Sequence, residues 1–326
     1  MRLLAAYPDR VLAWTDGDYE TVFEGDVHCL DAGPAGVYAG TPDGVVRETE
    51  DGWRTVAHVG DVTAVAVDGL VAWAGTEPSG VYHAADGRSF AACPGLTDLD
   101  SSDDWAFPPR PSTHHVRWLE PAPERLYVAV EAGALVRTED GGDTWRDRVP
   151  SGPYDTHSMA THADEPGLAY AAAGDGFYVT EDGGDTWRTE EAGLDRTYCW
   201  SVVCDPGDPD RLLVSAAHGP RQAHDAGTAE SAVYRRDPDG DRDGEGAGDG
   251  GGNGTGAREW TRCEGLPGPE GLLAATLATT GESGVAYAAT NRGVYRTPDW
   301  GDTWTELAGD WPTALASERP RSLAVA

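Results

Sequence analysis

Lysine is missing from all 326 residues, so each of the 24 basic side chains is an arginine, set against 56 aspartates and glutamates. A net charge of −32 argues against nucleic acid as a partner, because a polyanion is repelled unless a basic patch overcomes the field, and these arginines are scattered along the chain among carboxylates. Long apolar runs are missing too. No stretch approaches the roughly 20 residues that cross a bilayer, so membrane insertion is not expected. Met1 to Asp9 holds only a short apolar run, interrupted by proline and charge; it lacks the apolar core of a secretory leader, and the expected location is the cytoplasm. Cysteine is scarce. Cys29, Cys93, Cys199, Cys204 and Cys263 are odd in number and contain no Cys-x-x-Cys pair, which indicates neither a disulfide framework nor a zinc knuckle. Neither a Gly-x-Ser-x-Gly elbow nor a phosphate-binding loop is present.

What is there in abundance is acid. A solvated carboxylate shell suits molar salt, where a Debye length of about 3 Å at 1 M screens self-repulsion, and the composition resembles that of proteins from salt-accumulating halophiles. The 39% hydrophobic content is ordinary for a soluble chain, and the length is compatible with one closed β domain spanning residues 1–326.

The second abundant feature is a repeat. Three segments, Thr138 to Trp145, Thr180 to Trp187 and Thr297 to Trp304, follow the pattern Thr-x-Asp-x-Gly-Asp-Thr-Trp, each after a short alternating strand such as Gly293-Val294-Tyr295-Arg296. The pattern describes a tight hairpin in which a short carboxylate accepts bonds from turn amides, glycine supplies positive φ and a tryptophan buries its ring between sheets. Asp140, Asp182 and Asp299, with Trp145, Trp187 and Trp304, are therefore read as turn organisers rather than catalysts. Degenerate copies stand near residues 49–53, 84–90 and 15–19.

These motifs resemble the BNR, or Asp-box, repeat of a β-propeller superfamily that includes sialidases, xyloglucanases, sortilin-type receptors and photosystem II assembly factors. The resemblance implies an all-β fold, a single propeller. Four-strand units fall near residues 27–60, 61–96, 113–150, 155–193, 197–266 and 271–309, preceded by three strands in residues 2–24. Residues 321–326 read as the missing innermost strand of that first unit, so seven blades are expected, closed between the termini, with six as the alternative. The acidic, glycine-rich run 237–257 reads as a disordered excursion on the box face, since it fits no calcium-loop spacing.

Two further insertions, residues 97–112 and 218–231, fall on the opposite face. Inner strands begin there, and alignment on the second strands places His115, His157 and Trp200 at equivalent positions lining the channel mouth. His114, Tyr154, Tyr198, His218, Arg221, His224, Trp105 and Arg110 are expected nearby. Imidazole, aromatic and guanidinium groups around a concave mouth suit a small molecule, a glycan or a protein segment. The plainer alternative is that these side chains plug the channel and bond to backbone carbonyls. No cofactor is required, although His115 and His157 with His218, or with His114 or His224, could hold a divalent metal. A sialidase would need three converging arginines, for which Arg110, Arg117 and Arg221 are poor candidates. Glycoside hydrolysis by a carboxylate pair drawn from Glu131, Asp155, Asp175 and Asp225 stays open. A ligand- or protein-binding module is the leading expectation, with hydrolase or lyase second.

Overall fold

The computed structural model describes residues 2–15, 17–237, 258–307 and 311–326. The expected excursion thus lies, from residue 238 onward, outside the described residues, as does Asp16 of the first degenerate box.

Strands such as Leu3–Tyr7 and Ala169–Ala173 are buried along their whole length rather than at alternate positions. Burial on both faces requires a neighbour on each side of the sheet, and the alanines let those neighbours approach closely. Buried Tyr38, Tyr127, Tyr170 and Tyr287 fill the widening space between blades. The result is seven antiparallel sheets. From the channel outward, blade 1 is Ser322–Val325, Leu3–Tyr7, Arg10–Thr15 and Asp18–Glu24; blade 2 is Cys29–Gly33, Gly36–Thr41, Gly44–Thr49 and Gly52–Ala57. Blade 3 is Asp61–Asp68, Val71–Glu77, Val81–Ala84 and Ala91–Cys93. Blade 4 has three strands, Val116–Ala122, Arg125–Val130 and Ala134–Thr138, and its outer strand shrinks to a bridge between Arg137 and Arg146. Blade 5 is Thr156–Thr161, Ala169–Ala173, Gly176–Thr180 and Arg188–Thr189. Blade 6 is Tyr198–Asp205, Asp208–Ala217, Ser231–Arg236 and Thr261–Arg262; blade 7 is Thr276–Thr279, Ala286–Thr290, Gly293–Thr297 and Thr305–Glu306.

Each inner strand packs on that of the next blade, and the seventh returns to the first, so the sheets form a ring. Seven blades, not six, are observed. The expected closure is present: Leu3 pairs with Val325 and Ala6 with Ser322, and Arg2 and Ala326 exchange main-chain bonds of 2.8 Å in both directions. Closure pairs the edges that an open sheet would leave exposed.

The boxes act as their chemistry predicts. Asp140 accepts from the Thr144 amide at 2.8 Å and from the Thr138 hydroxyl at 2.9 Å, and Asp182 and Asp299 repeat both contacts. Gly142, Gly184 and Gly301 hold φ between 92° and 94°, a region costly for side chains. Trp187 and Trp304 are buried, whereas Trp145 is half-buried and donates to the Pro94 carbonyl at 2.8 Å. All five cysteines are free, with Cys29, Cys199 and Cys204 buried.

Candidate functional site

The face opposite the boxes is shaped by one backbone device used four times. Register slips between Val62 and Ala64, Val116 and Trp118, Thr156 and Ser158, and Cys199 and Ser201 insert one extra residue near the start of the inner strand in blades 3 to 6. The extra residues are Thr63, Arg117, His157 and Trp200. A bulge re-aims its side chain relative to the regular pleat, so these four stand at matching places around the mouth. Two of them also tie blades together: the Thr63 hydroxyl donates to the Val116 carbonyl at 2.7 Å, and His157 Nδ1 contacts the Cys199 carbonyl at 2.7 Å. The counterpart of His157 and Trp200 is therefore Arg117. This corrects the alignment with His115, which precedes its strand, because the hairpin joining the first two strands is tighter in blade 4, where Ala122 pairs with Arg125, than in blade 5, where Thr161 pairs with Ala169.

A cleft of about 400 Å³ opens at this mouth, lined among others by Glu77, Arg110, Arg117, Glu131, Trp200 and Arg319. His115, His224 and Phe107 also line it. The Glu131 carboxylate receives His115 Nε2 at 2.9 Å and faces Arg117 Nε at 3.4 Å. Burial alone would raise its pKa, but the His115 bond and the Arg117 charge outweigh burial and hold it at about 2. The guanidinium carbons of Arg319 and Arg117 lie 4.0 and 4.7 Å from the Trp200 ring centroid, close enough for cation–π attraction. Arg110 is neutralised by Glu77 at 2.5 Å, and Arg321 by Asp26 at 2.9 Å. Arg319 forms no ion pair among the described residues, and its buried Nη1 lacks a hydrogen-bond partner. Burial, then the neighbouring Arg117 charge, pushes its pKa down to about 9. Arg319 is thus the cleft arginine without a carboxylate partner among the described residues.

Behind Trp200, the buried His157 ring lies 4.5 Å from the indole. Tyr198 links two imidazoles, its hydroxyl 3.3 Å from His157 Nε2 and 3.2 Å from His224 Nε2. Burial, followed by Arg319, His157 and Arg117, lowers His224 to about 3, so it is neutral near pH 7.

The structure gathers His115, His157, Trp200, Tyr198, His224 and Arg110 at the mouth and places the other expected residues elsewhere. Trp105 is buried in the core between blades 3 and 4, where its indole donates to Ser101 at 3.1 Å and its ring meets His114 edge-on. His114 Nδ1 faces the Ser79 amide at 3.4 Å. Tyr154 is 48% exposed and borders a separate hollow with Arg148 and Pro150. Arg221 sits on the short helix Pro220–His224. His218 stands half-exposed beside Glu230 at 3.7 Å, and among the described residues His115 and His157 share metal-ligand spacing with none of His218, His114 and His224. Among the described residues the cluster with metal-ligand spacing is Glu131, Asp155 and His157. Sequence reasoning missed Arg319, which the closing segment carries into the mouth from the far end of the chain, and set Arg117 aside as a strand residue.

No family model and no curated protein matches the chain. Solved structures do resemble it. YCF48 bound to a D1 peptide aligns with a TM-score of 0.58 at 16% identity, over 94% of this chain and 83% of that one. YCF48 from Cyanidioschyzon merolae gives 0.58 at 14% identity, over 97% and 89%. The GH74 xyloglucanase from Xanthomonas campestris gives 0.66 at 15% identity, over 94% of this chain but 52% of its own length, so the present chain spans about half of that enzyme. At 14–16% identity these likenesses show the propeller fold, and the boxes resemble the BNR, or Asp-box, repeat.

Proposed function

We propose that the protein is a binding propeller whose mouth holds a carboxylate-bearing ligand, either a peptide segment or a small organic acid. The observation that carries this reading is Arg319: a guanidinium stacked on Trp200 beside a second arginine, without an ion pair, in a cleft of about 400 Å³. Two cations brought together away from bulk water favour an incoming anion, and guanidinium suits the planar, two-oxygen geometry of a carboxylate. The peptide held by a YCF48 propeller in its solved structure is consistent with this use of the fold. Glycoside hydrolysis needs a carboxyl that keeps its proton beside an ionised partner. At the mouth, Glu131, held near 2, is unsuited to the acid role, and Arg319, without an ion pair among the described residues, favours binding. The lysine-free acidic composition supports a salt-rich cytoplasm as the setting.

Native mass spectrometry with a mixed-sequence peptide pool tests the reading, using free C-terminal carboxylates in one arm, C-terminal amides in a second and citrate or glutarate in a third. Retention is expected for a carboxylate arm and not for the amides, and Arg319→Gln is expected to weaken it by about tenfold or more, the scale of one charge-assisted bond. Equal retention of amide and acid, no retention in any arm, or indifference to Arg319→Gln overturns it.

A further inference from the structure

We infer that Glu131, Asp155 and His157 form a site for one divalent metal ion of the zinc class, joining blades 4 and 5 at the inner side of the mouth. One ligand atom from each residue lies within 4.8 Å of the others. Donors about 2.0–2.2 Å from a tetrahedral ion stand about 3.3–3.6 Å apart, so inward shifts of up to about 1 Å complete the set.

The hydrogen bonding around the cluster points the same way. A carbonyl only accepts, so His157 Nδ1, 2.7 Å from the Cys199 oxygen, carries a proton. In the neutral ring Nε2 is then a lone pair, the arrangement by which a backbone carbonyl orients a metal-binding imidazole. That Nε2 faces Asp155 Oδ2 at 3.5 Å. Two electron-pair donors facing each other need a proton or a cation between them. Asp155 Oδ1 is already occupied by the Ala132 amide at 3.0 Å, which leaves Oδ2 to turn inward. The chain keeps room for it: a Cβ on Gly174 would stand 2.3 Å from that same oxygen. Two carboxylates and one neutral imidazole carry a charge of about −2, which Arg117, 3.4 Å from Glu131, offsets in part, and a mixed nitrogen and oxygen set favours zinc-like metals over magnesium or calcium. The Tyr198 hydroxyl, 3.3 Å from His157 Nε2, contacts the same lone pair and would turn to His224 Nε2, 3.2 Å away, when an ion binds. Glu131 also lines the arginine cleft, so the two sites share a wall, but the metal set needs no ligand in the cleft.

The test is zinc uptake by the full chain in molar sodium chloride with excess magnesium, which occupies surface carboxylates. Equilibrium dialysis is expected to give about one zinc per chain, with affinity falling about tenfold or more in His157→Gln and in Asp155→Asn, and with the exposed outer-strand variant Arg54→Gln unchanged. Cobalt added to the unmodified protein is expected to show visible bands of an imidazole-ligated ion, which keeps the test valid where a variant fails to fold. Absence of both uptake and bands overturns the inference and leaves a protonated His157 paired with Asp155. Equal uptake by the wild type and a well-folded double variant overturns it as well.

Discussion

Arg117, His157 and Trp200 owe their direction to one inserted residue in each inner strand, so the same types in a regular pleat would present a different mouth. His157 and Trp200 were recognisable in the sequence as polar or bulky exceptions at strand starts, but Arg117 was not, because it sits inside an apolar strand pattern and only the slipped register turns it inward. A second residue-scale consequence concerns Glu120, in the channel below the mouth. Burial raises its pKa from 4.5 to about 7, although Trp118 and Thr161 donate to its oxygens at 2.9 and 3.0 Å and oppose the rise. Asp31, raised to about 6 by burial, acts in the same sense. A carboxyl whose folded pKa lies above its unfolded value favours folding while protonated, and that contribution fades as pH climbs from about 4.5 to about 7. Glu120→Gln is expected to flatten the dependence of Tm on pH between 5 and 8 and to add on the order of 2 kcal/mol at pH 8 relative to the wild type. Parallel pH profiles for the two proteins would refute this.

At the scale of the element, the Asp-box divides its labour between a turn and an anchor. Asp182 organises an exposed hairpin, whereas Trp187 packs against Tyr127 with ring centroids 6.3 Å apart, in a cluster with Leu135 and Met159. Trp187→Ala is expected to destabilise the protein by about 3–5 kcal/mol through the cavity it leaves, and Asp182→Ala by clearly less, both read from urea unfolding. The reverse order would mean that the turn, not the packing, stabilises the repeat. Neither change is expected to alter ligand retention, because the boxes lie on the other face. Arginine does further work here: Arg137 donates to the Gly184 carbonyl at 2.7 Å and pairs with Asp185, and Arg235 pairs with Asp302, each reaching from one blade to the box of the next. A planar fork suits such bridges better than a lysine ammonium.

On the scale of the whole molecule, the ring is held by its seam and loosened by its charge. A chain ending at residue 317 would lack Ser322–Val325 and expose the Leu3–Tyr7 edge. It is expected to elute as aggregates on gel filtration; a stable monomer would show that closure is dispensable. The net charge of −32 repels itself over a Debye length of about 10 Å at 0.1 M salt but only about 3 Å at 1 M. Calorimetry is expected to give a Tm that rises steadily between these concentrations, and a flat response would remove the argument from self-repulsion.

The sequence by itself determined the repeat, the blade count favoured at seven, the closing strand and the face on which the boxes lie, because box chemistry and strand spacing are local and act within a few residues. Tertiary structure alone decided which residues meet. The register set by a tighter hairpin in blade 4 exchanges Arg117 for His115 in the aligned set, the core takes Trp105 away from the mouth, and ring closure brings Arg319 to Trp200. Each of these depends on a register or on a contact between distant blades, and neither leaves a mark in the spacing of a single segment.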